Sequence, residues 1–340
     1  MGLLGFERPW KTAYTQQWNL AFQYQLTPSQ TVTLAYVGNS THHMLNGDKR
    51  NVTSQILPPL TDVQKYVPFP DFSRNSDYVA PNGDAYYHGV SAALERRFSH
   101  GLNLLVNYTR SVCKTDNKNI LGISENDFAR APLLPGFGLK RDYRYCGNDV
   151  PDIFHASGIW QVPIGKGHRI AGGASGLVNQ VIGGWSTQWI YTLQDGFPFT
   201  VGCPTPTTSN FGCTAFVVPG QNLYAHSGAH GIDQFLNPAA FSNPPVATTI
   251  GQTDYSPLGG QDTQVHGPGY ENVDFSLFKQ FRVSENRQFE FRSEFFNFLN
   301  HPNFSNSFKS LKFTDTTNFA VINGTRGIAR QIQLGLKFYW

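Results

Sequence analysis

The chain of 340 residues contains no run of 18 or more apolar residues, so no transmembrane helix can be drawn through it. Charge is equally scarce: Asp, Glu, Lys and Arg make up 14% of the residues and leave a formal net charge of +3. Basic residues so few and so scattered form no patch for a nucleic-acid backbone, and no nucleic-acid partner is predicted. The opening "MGLLGFERPW" lacks the basic n-region, the long apolar h-region and the cleavage site of a secretory signal. An export signal, if the protein is exported, is expected outside these residues.

Catalytic and metal-binding patterns are missing too. The four cysteines show no paired C-x-x-C spacing, which argues against zinc. There is no H-E-x-x-H, no Walker loop and no dinucleotide fingerprint. "GGASG" at 172–176 falls short of the last glycine of a nucleophile elbow and has no strand-to-helix setting. His226 and His230 of "HSGAH" stand in a Gly-rich stretch with no helix to align them, and read as solvated loop residues. Carboxylates such as Glu95 and Asp152 are sparse and unpaired in sequence, so a glycosidase reading has no specific support. No catalysis, cofactor or metal is predicted.

What the chain does have is aromatics at 14%, with 27 Phe, and 33 Gly beside 21 Pro. That composition belongs to a β-rich, loop-rich protein. In "QWNLAFQYQL" (17–26), Trp18, Leu20, Phe22, Tyr24 and Leu26 alternate with Gln17, Asn19, Ala21, Gln23 and Gln25, a period of two over a whole strand. Val32, Leu34 and Tyr36 continue it after "TPSQ", making a hairpin. A second hairpin joins Val90, Ala92, Leu94 and Phe98 through "SHG" to Leu102, Leu104, Val106 and Tyr108. Arg96 interrupts its apolar face near the turn, where a long side chain can carry its charge to water. Further strands are predicted near 152–162, 184–195, 272–281, 287–297 and 331–340, giving nine in all.

The links between them alternate in length. Short ones fall at 27–30, 99–101 and 282–286, a medium one at 163–183, and long ones at 38–85, 111–151, 196–271 and 299–327. If the strands are antiparallel, all short links lie at one end of the sheet and all long links at the other. Strands of roughly 10 or 11 residues match a tilted bilayer crossing, and exceed the soluble mode of about 5–6. Trp18, Tyr36, Tyr86 and Tyr108 fall near the long-link end, and Phe98, Trp160, Trp185 and Trp340 near the other, as two interfacial girdles would. The fold class predicted is all-β, an antiparallel transmembrane β-barrel with long extracellular loops, in the outer membrane. The competing readings are a passive or oligomeric outer-membrane pore or adhesin-like barrel, and a soluble extracellular carbohydrate-binding β-protein whose apolar face is its core.

Six segments carry a family resemblance: "GDAYYHGVSAALERRFSHGLNLLVNYTRS" (83–111), "VPDIFHASGIWQVPIGKG" (150–167), "GGWSTQWIYTLQDGFPFTV" (183–201), "GPGYENVDFSLFKQFRV" (267–283), "EFRSEFFNFLNHPNF" (290–304) and "RQIQLGLKFYW" (330–340). In this order they resemble the C-terminal barrel of TonB-dependent outer-membrane receptors, the Oar-like group with a carboxypeptidase-regulatory-like domain above all. The resemblance implies that Phe338 and Trp340 form the signal read by the outer-membrane assembly machinery. It implies a barrel of about 22 strands, a plug and a TonB box, of which residues 1–340 show about nine strands and neither of the others. The chain is therefore expected to be a C-terminal barrel segment that meets outer-membrane lipid directly and the TonB complex only through N-terminal parts. Alone it is expected not to form a functional barrel, because closing nine strands would pair the first and last in parallel.

Cys113 and Cys146 share one long link and Cys203 and Cys213 another, so two local disulfides are predicted in an oxidising exterior. Gln17, Asn19, Gln23, Asn103, Asn107, Asn272, Asp274, Glu290, Arg292, Glu294, Gln331 and Gln333 are predicted to face the lumen. They line a substrate path or only hydrate the interior. Tyr66, Phe69, Phe72, Tyr78, Phe197 and Phe199 in the long links stack on a ligand or pack their own loops.

Overall fold

The computed structural model describes residues 4–49, 51, 53, 55–73, 77–117, 143–209, 211–225, 233–260, 265–284 and 287–340. His226 and His230 lie outside the described residues. Among those described, nine long strands form: β1 (Tyr14–Thr27), β2 (Gln30–Lys49), β3 (Asp77–Ser99), β4 (Leu102–Thr115), β5 (Asp152–Gln161), β6 (Trp185–Gln194), β7 (Tyr270–Ser284), β8 (Arg287–Phe296) and β9 (Gln331–Tyr339). They pair in chain order into one open sheet, every long pair antiparallel. Short strands at Leu4–Phe6 and Arg144–Tyr145 add to β3 and β4. One short helix, α1 (Gly176–Ile182), lies between β5 and β6.

Local chemistry explains the tight ends. His100 and Gly101 both adopt positive φ, 51° and 77°, as the primed turn that matches strand twist requires. Gly101 takes that conformation without strain.

The registers then join the alternating residues of each strand into continuous rows. One row starts at Gln30, the first residue of β2 at the short-link end, and passes through Arg96, Leu104, Gly158, Trp189, Phe275 and Phe295 to Ile332, the second residue of β9 at the long-link end. Another holds Phe22, Leu34, Ala92, Tyr108, Phe154 and Leu193. These rows make one face apolar from β1 to β9. Many of its side chains are exposed in this chain, Phe22 at 68% and Leu336 at 68% among them.

Two expectations need correction. The link expected at 38–85 is narrower, because β2 runs on to Lys49 and β3 starts at Asp77. Register shifts between Thr41, Met44 and Leu45 break the period of two there, and periodicity is what marks a strand in sequence. The long links are also not merely irregular surface. They hold the molecule's buried core: Phe199, Val201, Phe235, Leu236, Phe241, Val265 and Phe319 form one cluster. Ile56, Phe211, Ala247 and Leu258 form a second, and Leu57, Val63 and Val67 a third. Among the described residues, the links 50–76, 195–269 and 297–330 thus contribute to a packed cap with its own hydrophobic interior, while the strand face that would be a core in a soluble protein stays open.

Candidate functional site

The face opposite the apolar one is built from the other alternate residues. Its rows bring Gln23, Thr33, Ala93, Asn107, His155, Thr192 and Asn272 side by side. Asn103 shares a second row with Gln188, Ser276, Glu294 and Gln333. Gln17 and Asn19 stand opposite Asn39 and Val37 near the long-link end of β1. Every residue predicted from the sequence for this face therefore shares it. The face is not uniformly polar: Leu105, Ile159 and Ile190 also lie on it, at 48%, 43% and 46% exposure.

Three of the predicted residues form a charged ladder on β8. The Arg292 guanidinium sits between two carboxylates, with Nε 3.6 Å from Glu290 and Nη2 3.4 Å from Glu294. It also lies 4.8 Å over the Phe278 ring. Gln280 donates to Glu290 at 3.4 Å, and Lys337 stands in register beside it. Two acids flank one arginine at ion-pair distance and balance its charge on a partly screened stretch of the wall. Others have structural partners. Asp274 accepts from the Asn272 amide and the Asn297 backbone N–H, both at 2.9 Å. Asn103 donates to the Arg96 carbonyl at 3.2 Å, and Asn107 accepts from Thr109 at 3.3 Å. Gln331 pairs in register with Phe296 at the top of β9.

On the apolar face, polar atoms concentrate at its two borders. Toward the long links the Trp18 indole donates to the Tyr36 hydroxyl at 3.4 Å, which meets His88 Nδ1 at 2.8 Å. Arg110 and Tyr108 both reach Asp152, at 2.8 and 2.5 Å. Toward the short links Lys279 donates to the Gly183 carbonyl and lies over the Trp185 and Phe281 rings, 5.1 Å from each. Arg96 turns its guanidinium back to the Ser99 carbonyl at 3.3 Å. Phe289, Phe338 and Trp340 pack in series with tilted rings, their centroids 4.7 and 5.9 Å apart. Amphipathic rings at two levels, with apolar side chains between, are the pattern of a wall that meets lipid.

One bridge staples the cap to a strand end: Cys113, which lies in β4 and not in the long link expected for it, bonds Cys146. Cys203 bonds Cys213 within the cap, the Cα atoms of the two bridges being 5.4 and 5.6 Å apart. Asp149, buried beside the first bridge, accepts the Cys113 N–H at 2.6 Å and stands 3.3 Å from His266 Nε2. His266 packs edge-on against Tyr145, so this pair ties the 116–151 link to the 195–269 link. Asn303 imitates a strand partner, accepting the Glu271 N–H at 2.7 Å and donating to the Glu271 carbonyl at 2.8 Å. Burial, with Asp152 nearby, raises the Asp195 carboxyl above the ordinary range. Burial and the Asp116 and Asp84 carboxylates push Tyr143 up to about 12.

The loop aromatics divide. Phe199 is buried in the cap and packs on Phe308 at 4.9 Å. Phe197 takes the Arg326 guanidinium at 5.4 Å, and Tyr66 and Phe69 stay exposed. Glu95 and Asp152 lie on opposite faces of the sheet, Glu95 in register with Leu105 and Asp152 with Arg110. Among the described residues no three His, Cys, Asp or Glu side chains converge as metal ligands would. Sequence reasoning missed the Asp149–His266 and Asn303–Glu271 staples, whose partners lie 117 and 32 residues apart with no local pattern to link them.

An antiparallel wall with one apolar and one polar face, aromatic borders, short turns at one end and a folded cap at the other defines a membrane-spanning β-barrel wall. The chain belongs to the outer membrane beta barrel domain family, whose profile matches residues 2–333. No curated protein sequence matches it. Among solved structures it is similar to the outer membrane transporter YddB from Escherichia coli, at 10% identity and a TM-score of 0.43, covering 98% of this chain and 33% of that one. It is similar to the FrpB iron transporter from Neisseria meningitidis at 11% identity and a TM-score of 0.42, covering 99% and 33%. A third is the ferric-catecholate import receptor Fiu from E. coli K12, at 9% identity and a TM-score of 0.44, covering 98% and 29%. The chain thus spans about a third of the length of these transporters.

Proposed function

We propose that residues 1–340 are a single, non-catalytic domain, the C-terminal wall of a TonB-dependent receptor barrel, which does not close by itself. Its apolar face meets outer-membrane lipid, its polar face lines the lumen, and its cap belongs to the ligand-capturing surface. Phe338 and Trp340 are the residues offered to the assembly machinery, and the TonB complex acts through N-terminal parts. The observation that carries this reading is the open nine-strand sheet itself. Its edges, β1 and β9, run in the same direction, so closure on itself or on a second copy would join them in parallel, whereas all long pairs within it are antiparallel. Further strands, odd in number, close the wall with antiparallel pairing throughout. The ordered sequence segments at 83–111, 150–167, 183–201, 267–283, 290–304 and 330–340 support the receptor family in particular.

An antibody raised against the cap, used on fractionated cells of the source organism, tests this. The receptor reading expects a heat-modifiable outer-membrane polypeptide roughly twice this chain's mass or more, as nine strands of about 22 require. A band at 37.9 kDa in SDS-resistant oligomers would replace it with a multi-chain pore. Recovery without detergent would replace it with a soluble β-protein.

A further inference from the structure

The link between β5 and β6 is built inside out. In α1, Leu177, Val178 and Val181 share one side of the helix and are 84%, 59% and 66% exposed. The polar residues point the other way, into the protein: Asn179 accepts the Lys166 N–H at 2.6 Å and Gln180 donates to the Arg282 carbonyl at 3.0 Å. A helix in water buries its apolar side and exposes its polar one; here the order is reversed.

The placement of this helix says what meets it. Its Val181 carbonyl accepts the Trp185 indole N–H at 3.0 Å, and the Gly183 carbonyl after it holds Lys279. Trp185 and Lys279 are register partners on the apolar face, in one row with Phe291 and Leu336. The exposed side of α1 is therefore continuous with the lipid-facing band at its short-link border. Ile170 adds a fourth apolar side chain at 54% exposure. Residues 162–184 hold Lys166, His168 and Arg169 and no Asp or Glu, the charge that suits anionic headgroups.

Resting on the outer-membrane reading above, we infer that the 163–183 link is an interfacial membrane anchor. α1 lies in the plane of the leaflet at the short-turn end, with Leu177, Val178 and Val181 among acyl chains and Lys166 and Arg169 at phosphate level. Such helices sit about 5–10 Å deep, at the boundary of headgroups and chains.

A benzophenone side chain placed at position 178, at 334 or at 333, one per protein, tests this by irradiation of outer membranes from cells producing the full chain. Leu334 lies on the apolar strand face and Gln333 on the opposite one. The anchor requires phospholipid adducts at 178 and 334 and few at 333. Adducts at 334 but none at 178, or a protein adduct at 178, overturn the anchor and leave the barrel intact. No lipid adduct at 334 overturns the barrel reading itself. If benzophenone at 178 prevents accumulation, Val178→Cys carrying an environment-sensitive fluorophore replaces it, the native cysteines being paired. Strong quenching by a nitroxide high on the acyl chain, with little by aqueous iodide, is then the supporting result, and the reverse refutes the anchor.

Discussion

Gly158 has no side chain because Trp189 of the neighbouring strand lies over its backbone. A Cβ at that position would stand 2.7 Å from the indole. Trp18 covers Gly38 in the same way. Gly158→Val should push Trp189 out of the wall and destabilise the assembled barrel by about 1–3 kcal/mol. Tryptophan fluorescence across a urea series would show a lower midpoint, with Gly173→Ala unchanged. Arg292 makes a second case. Removing its charge in Arg292→Gln takes away the cation between Glu290 and Glu294 and leaves Glu294 without its ion-pair partner, a loss of about 1–3 kcal/mol. Adding Glu290→Gln and Glu294→Gln should restore most of it, and a triple variant no more stable than the single one would show that the ladder is not coupled. Tyr143 supplies a pH signature. It stacks on Tyr86 at 5.6 Å, and its pKa lies near 12 against an ordinary 10.0. Between those values the unfolded chain has released a proton that the folded one keeps. Stability present below pH 10 therefore falls as pH rises through that window. Alkaline difference spectra of wild type and Tyr143→Phe should differ by one late-titrating tyrosine.

Among the elements, the strands and their tight hairpins were legible in sequence because both depend on neighbours. A side-chain period of two is written residue by residue, and turns such as His100–Gly101 need only local φ values. The polar residues of the wall were legible for the same reason, since Gln23 or Asn107 follows from the phase of its own strand. The outer ends of β2 and β3 were not, because bulges near Met44 interrupt that phase. The cap was not either. Asn51 is buried and joins three carbonyls, of Phe69, Phe72 and Ser73, and takes the Phe69 N–H in return, yet nothing around it in sequence sets it apart from a solvated loop asparagine. The two bridges belong to this scale. Protein isolated without reductant should yield no alkylatable thiol until reduced. Cys146→Ser, which opens a loop of sequence separation 33, should lower stability by about 2–4 kcal/mol, read as a lower urea midpoint.

For the molecule as a whole, the distinction between a lipid-facing and a water-facing apolar surface comes down to Leu334, 65% exposed on the outer face of β9. Leu334→Arg should cost about 2–4 kcal/mol at mid-membrane, less toward an interface, while Gln333→Arg on the other face should be close to neutral. An arginine scan along β9 that failed to alternate would remove the two-faced wall. The row that runs from Gln30 to Ile332 has a further meaning. It moves from one rim to the other across seven strand-to-strand steps, about one residue per strand. With a rise of about 3.3 Å per residue and strands about 4.8 Å apart, that slope inclines the strands by about 35° from the barrel axis. The nine residues of β9 then span about 25 Å along the axis, the height of an outer-membrane apolar band. The stagger of the hydrogen bonds is thus the dimension that matches this wall to the thickness of its bilayer.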